Sequence, residues 1–234
     1  LGRSMARHVA VAGGSVVAVG RRHALLEELA AAHPGITPIA ADLTDPDACR
    51  SVVEAAATSL GEIDAVVHAL GTSPMAVLDD VTPATWHQVM ATNVIAPALV
   101  TQAVLAHLAA DAVVAFLSSE TVGRPRRGLV PYAASKAALE EQVRGWRLEH
   151  PEHRFGVLVV GGTLGTDFGR DMTGDALSDC MTDWIAKGQL TEQLMDCEDV
   201  GLALAEVLAL ALRHPEIDVS TITLCPPGPL ARLG

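Results

Sequence analysis

Aromatic residues are scarce, at 3% of 234 positions, so the core must be built from Ala, Val and Leu in a chain that is half hydrophobic. Small aliphatic cores suit buried parallel strands packed closely by helices. Positive charge is also short: 16 Lys and Arg stand against 28 Asp and Glu, a formal net charge of −12. That balance argues against nucleic acid and anionic membrane surfaces, and leaves small molecules or other proteins as partners. Cysteine is limited to Cys49, Cys180, Cys197 and Cys225, with no C-x-x-C and no Cys/His cluster at ligand spacing. Reduced thiols in a cytoplasmic protein are expected. No histidine pair has metal-like spacing plus a carboxylate partner, so no metal site is expected. No uninterrupted apolar run approaches the length of a membrane span, and the first residues lack the basic, apolar and small-residue succession of a signal peptide. Repeats, low-complexity segments and linkers are lacking too, and residues 1–234 are read as one domain.

What is present alternates. Apolar runs of strand length, SVVAVG (15–20), ITPIAADL (36–43), IDAVVHALG (63–71), DAVVAFLSS (111–119), FGVLVVGG (155–162) and VSTITLC (219–225), are separated by segments of helical period. This is the pattern of a three-layer α/β/α domain, a doubly wound, Rossmann-type parallel sheet with crossover helices. Thr44 or Asp45 opens the helix that Gly61 ends, and Pro83 fits the first turn of a long helix reaching to about residue 108. In an open parallel sheet, ligands bind outside the carboxyl ends of the strands. The ends here carry Gly20-Arg21-Arg22, Asp42, Gly71, Ser118-Ser119 and Gly161-Gly162, small, polar or charged residues that core packing does not require.

PYAASKAALEE (131–141) heads the helix after the fourth strand. On a helix Tyr132 and Lys136 share a face one turn apart, and a fixed cation beside a phenol favours the phenolate, lowering a pKa that is ordinarily about 10. Ser119 lies thirteen residues before Tyr132, and Asn93 sits inside the preceding long helix.

Asn93, Ser119, Tyr132 and Lys136 at these separations resemble the catalytic tetrad of the classical short-chain dehydrogenases/reductases. The resemblance runs along nearly the whole chain: ADLTD (41–45) is similar to the family's acidic turn against the adenine, VVHALG (66–71) occupies the place of its Asn-Asn-Ala-Gly motif, and VVGGTLGT (159–166) resembles its Pro-Gly-containing stretch. His68 and Ala69 replace the two asparagines, Leu70 the alanine, and Gly161 the usual proline. The family's Gly-x-x-x-Gly-x-Gly turn is matched only by Leu1 and Gly2, so the start of the chain reads as the end of that turn, then a helix, then the second strand, with the first strand missing. The competing assignment of HVAVAGG as the first strand leaves too few residues before Asn93 and no second glycine at the right spacing.

The resemblance implies hydride transfer between a nicotinamide coenzyme and a carbonyl or alcohol carbon. Tyr132 is expected as general acid/base and Ser119 as the hydrogen-bond donor to the substrate oxygen. Lys136 tunes the phenol and binds the nicotinamide ribose, and Asn93 holds a water between Lys136 and solvent. Coenzyme contacts are expected from Leu1, Gly2, Arg21, Arg22, Asp42, Leu43, Ala69, Gly71, Tyr132, Lys136, Gly162, Leu164 and Thr166. A second strand that ends in Gly20-Arg21-Arg22 rather than an acid favours NADP(H), with NAD(H) as the second choice, because guanidinium groups bind a 2′-phosphate that a carboxylate repels. Residues 167–198 are expected to form a lid, with Phe168, Met172, Met181 and Trp184 as an apolar wall. Small or lipophilic carbonyl compounds are the leading substrates. Arg124, Arg126 and Arg127 crowd the loop before Tyr132 and are read first as a solvated loop and second as a receptor for an acidic substrate such as a carboxylate or phosphopantetheine arm. Glu120 has no assignable partner. Family members pair through helices matching 83–109 and 131–149, so a homodimer or homotetramer is expected. The alternative is a binding or scaffold protein that keeps the fold, with impaired coenzyme binding and little catalysis.

Overall fold

The computed structural model describes residues 1–168 and 175–232. In chain order its elements are α1 (Gly2–Val11), β1 (Val16–Gly20), α2 (His23–Ala32), β2 (Ile36–Ala40), α3 (Pro46–Leu60), β3 (Ile63–His68) and α4 (Pro83–Met90). A π-helical turn (Ala91–Ile95) leads into α5 (Ala96–Val104) and a 3-10 turn before β4 (Leu108–Ser119). Then follow α6 (Val130–Glu149), β5 (Arg154–Val160), β6 (Thr163–Leu164), α7 (Asp175–Ala186), β7 (Met195–Asp196), α8 (Cys197–Arg213) and β8 (Thr221–Leu224). Helix starts obey local chemistry. Asp45 caps α3 by accepting from the Asp47 N–H with Pro46 in the first turn, and Thr82 caps α4 by accepting from the Thr85 N–H ahead of Pro83. HVAVAGG is not a strand: His8–Val11 belong to α1.

All pairings among the long strands are parallel, but they fall into two sheets. β1 pairs with β2, and β3-β4-β5-β8 form a four-stranded sheet. The edges of β1 and β3 both line a single cleft of about 1870 Å³, floored and roofed by residues of α1, α3, α5 and α8. Among the described residues no strand runs between them. The core sits on the intact side, where Ala115, Leu117 and Leu158 pack under Met5 of α1 and Leu204 of α8, and Val114, Phe116 and Phe155 pack against Leu139 and Val143 of α6.

The helical run Pro83–His107, at a mean hydropathy of 1.7, is long and apolar enough to cross a membrane by length and composition. It is nonetheless a helix of the domain wall: α5 packs against α3, α4 packs against α6, and Asn93 and Thr101 are fully buried within it.

Candidate active site

The carboxyl ends of β4 and β5 meet the start of α6, and polar residues are buried there. Tyr132 sits in the first turn of α6, which Pro131 opens without loss of a hydrogen bond. Lys136 follows one turn later, 3% exposed, with its ammonium 5.9 Å from the centre of the Tyr132 ring. The Lys136 Nζ donates to the Leu117 carbonyl at 2.7 Å, which fixes it at the end of β4. Ser119, the last residue of β4, lies close enough to the Tyr132 phenol to act on its proton affinity and accepts from the Thr121 N–H at 3.2 Å and hydroxyl at 3.0 Å. Strand alternation sends Ser118 the other way, where its hydroxyl donates to Glu140 at 2.5 Å.

Asn93 lies in the π-helical turn, where one extra residue per turn aims its side chain inward. Its Oδ1 accepts from the Thr72 N–H at 2.8 Å, and its Nδ2 donates to the Thr72 carbonyl and the Ser135 hydroxyl, both at 2.9 Å. The amide thus ties the loop after β3 to α6. Gly71 fills the space between, for a Cβ there would lie 3.6 Å from Asn93 Oδ1 and 3.7 Å from Lys136 Nζ.

Burial governs the electrostatics. It pushes the Tyr132 phenol up to about 12, against a smaller opposite effect of the Ser119 hydroxyl. The direction is opposite to that expected from an adjacent cation, because burial of the phenol itself decides it; burial likewise draws Lys136 down to about 8. Burial, with Lys136 nearby, also draws His68 down to about 3. His68 is therefore a neutral core residue, stacked on Phe116 at 4.5 Å and hydrogen bonded to Thr101 at 3.0 Å.

The cleft between β1 and β3 continues to Ser119, Tyr132 and Lys136. The start of α1 approaches the end of β3 so closely that a Cβ on Gly2 would lie 2.9 Å from the Ala69 Cβ. Arg21 and Arg22 stand at the tip of β1. Arg22 pairs with Asp167, and Arg21 helps hold the Asp42 carboxyl low, after the larger effects of hydrogen bonds from the Thr44 N–H and hydroxyl. These small residues, a helix start and two guanidinium groups along one cleft fit a dinucleotide.

The family model for short chain dehydrogenase matches residues 1–175. The chain belongs to the short chain dehydrogenase family. Short-chain dehydrogenase/reductase FrzI of Cladobotryum sp is 35% identical over 123 residues, 53% of this chain and 47% of that protein, so the chain spans about half the length of that relative. The short-chain dehydrogenase/reductase (glucose/ribitol dehydrogenase) of Brucella melitensis superposes with a TM-score of 0.80 at 21% identity, covering 95% of this chain and 89% of that one. A gluconate 5-dehydrogenase from Burkholderia cenocepacia J2315, solved with NADP and tartrate, gives 0.78 at 21%, covering 95% and 88%. These likenesses carry the Rossmann-type fold.

In this short chain dehydrogenase, Ser119, Tyr132 and Lys136 come together as their spacing implied, with Asn93 behind them. Leu1, Gly2, Arg21, Arg22, Asp42, Leu43, Ala69, Gly71, Gly162 and Thr166 all line the cleft. Leu164 does not: it is 57% exposed on β6, turned away by the alternation that points Thr163 inward. The apolar wall is also revised. Phe168 meets the Tyr132 ring edge-on at 5.2 Å, Met181 is exposed, and Trp184 is buried beside Leu129 and Cys180 with its Nε1 donating to the Arg127 carbonyl. Met172 lies outside the described residues. Glu120 does have a partner, Arg126, at 2.6 Å. Thr72, Ser135 and the Leu117 carbonyl were missed by sequence reasoning; only the small-residue spacing around Gly71 and Ser135 hinted at them.

Proposed function

We propose that the protein is an NADP(H)-preferring oxidoreductase that interconverts a carbonyl and an alcohol, with Tyr132 as general acid/base. The observation that carries this reading is the convergence of Tyr132, Ser119 and Lys136 at one buried strand end, opening on a cleft that fits a dinucleotide. When bound, the nicotinamide coenzyme supplies or takes up the hydride. In the reduction direction the Tyr132 phenol, kept protonated by burial, gives its proton to the carbonyl oxygen, and the Ser119 hydroxyl donates a hydrogen bond to the same oxygen. The Lys136 ammonium stabilises the phenolate that remains, and the Leu117 carbonyl holds it in place. Asn93 braces Thr72 and Ser135 around this lysine. Tyr132→Phe is expected to lower kcat by about 10²- to 10⁴-fold with an unchanged circular dichroism spectrum; near-normal turnover would remove the mechanism.

Arg21 and Arg22 support NADP(H) over NAD(H), as does the NADP bound to the Burkholderia protein. Arg22 must exchange Asp167 for the 2′-phosphate, which reduces the advantage without reversing it. A lower KM for NADPH than for NADH is expected, and equal or NADH-favouring values reject the preference. The same reading takes residues 1–234 as one domain, with Phe168 beside the substrate, working in the cytoplasm on small carbonyl or alcohol compounds. It assembles as a homodimer or homotetramer through a small-residue face of α6 that leaves Ala134 and Ala137 exposed; a monomer by light scattering contradicts that assembly.

A second reading, a binding or scaffold protein with weak coenzyme affinity, is favoured by the open cleft between β1 and β3. Consumption of NADPH with a panel of ketones separates the two.

A further inference from the structure

Glu120 follows Ser119 directly and is drawn into the domain rather than out to solvent, at 25% side-chain exposure against 13% for its partner Arg126. Arg126 also donates to the Gln189 carbonyl at 2.6 Å and lies 5.8 Å from the centre of the Trp184 ring. The pair is thereby braced from beyond the catalytic loop. Beside it lies a second recess of about 310 Å³, lined among others by Arg124, Gln189, Thr191 and Leu194. Glu120, Arg126 and Gly162 line both this recess and the cleft that holds Ser119 and Tyr132. A Cβ on Gly161 would lie 3.0 Å from Glu120 Oε2, so the absence of side chains at 161 and 162 leaves the carboxylate room at the junction.

We infer that this junction is a substrate subsite that selects a hydroxylated chain next to the reacting carbonyl. The inference deepens the oxidoreductase reading and rests on it. The chemistry of the pair excludes the alternatives in turn. An anion meets the Glu120 carboxylate and finds Arg126 already paired with it, while the second guanidinium, Arg124, is exposed and screened by water. A cation meets Arg126 and Arg124. An alkyl chain would cover both ionised groups without offering either a hydrogen bond, at the cost of their lost hydration. A hydroxyl group satisfies both, donating to the carboxylate, which accepts only, and accepting from the guanidinium, which donates only. The Gln189 Oε1, buried and without a hydrogen-bond partner in the structure, is a further acceptor at the recess for such a donor.

The test is steady-state reduction of two open-chain ketones of equal length, 1,3,4-trihydroxybutan-2-one and butan-2-one, with NADPH. The wild-type protein is expected to favour the hydroxylated ketone by roughly 10- to 100-fold in kcat/KM, a comparison that needs no variant. Glu120→Gln should shrink that ratio at least about tenfold, mainly through the KM of the hydroxylated ketone. If the pair only braced the loop, the variant would slow both ketones alike and the ratio would stand, which overturns the inference. So does a wild-type preference for butan-2-one. Turnover of neither ketone, by contrast, overturns the oxidoreductase reading itself and this inference with it.

Discussion

The four-stranded half of the molecule and the two-stranded half are built from the same kind of sequence and differ in how far they bury it. In β4 and β5 nearly every residue from Ala112 to Ser119 and from Phe155 to Val160 is buried; in β1 all of Val16–Gly20 is only half-buried. VVAVG (16–20) and VVAFL (113–117) carry no polar side chain, so polarity does not explain the contrast. Neighbours do: β4 has a strand on each side, whereas β1 has β2 alone and its other edge opens on the cleft. The proposed chemistry is housed in the closed half, while the expected coenzyme contacts Arg21, Arg22, Asp42 and Leu43 follow the strands of the open one.

The largest effect should come from making one substitution in both halves. Val114→Ala, at a site with no exposure, removes two buried methyl groups and leaves a cavity, and is expected to cost about 2–3 kcal/mol. Val17→Ala in β1 is expected to cost about 1 kcal/mol or less, because its side chain is already partly hydrated. Urea denaturation of both variants measures the difference, and equal losses would mean that β1 is closed over in solution.

A tenfold effect should follow from filling the cleft. The facing edges of β1 and β3 carry backbone groups that would each cost about 1–3 kcal/mol if buried unpaired; in the structure the opening keeps them wet. A variant extended before Leu1 by a Val-rich strand and a Gly-x-x-x-Gly turn would pair both edges and present further N–H groups to a pyrophosphate at the start of α1. It is expected to bind NADPH about tenfold or more tightly than the present chain by calorimetric titration. Equal affinities would show that Leu1-Gly2 does not correspond to the end of the glycine turn. The Val17→Ala cost should rise in the extended protein toward that of Val114→Ala.

The order of elements was legible because each rests on local pattern. The six apolar runs became strands within a few residues, and the spacing of Ser119, Tyr132 and Lys136 survived because one strand end and one helix start hold all three. Illegible were contacts made by loops that close over distance. Arg22 meets Asp167 and Arg126 meets the Gln189 carbonyl, although neither pair is near in sequence and no period links them. The phenol was misjudged for another reason. Spacing supplies the neighbouring cation but not the depth of burial, and depth decides the direction of the shift. Trp184, read as lid, is core because α7 turns its Nε1 to the Arg127 carbonyl.

An effect that is nil at neutral pH and appears only on acidification concerns His68, which ends the strand that borders the cleft and yet is 3% exposed. Only Ile63 and His68 of β3 are buried; the residues between them are more open. Burial, with Lys136 nearby, draws its folded-state pKa from 6.5 to about 3, so the folded protein refuses a proton that the unfolded chain accepts. Above about pH 6.5 both states are neutral and the group contributes no slope. As pH falls from 6.5 toward 3, the unfolded state binds more protons and stability declines. His68→Asn removes this dependence while keeping a side chain that can hydrogen bond Thr101. Carboxylates titrate in the same acid range, so the measurement is the difference between wild type and variant in denaturation midpoint across that window. Wild type is expected to lose stability faster on acidification. Parallel profiles would mean that water entering from the cleft reaches His68, and that the boundary between closed and open halves lies one strand further in.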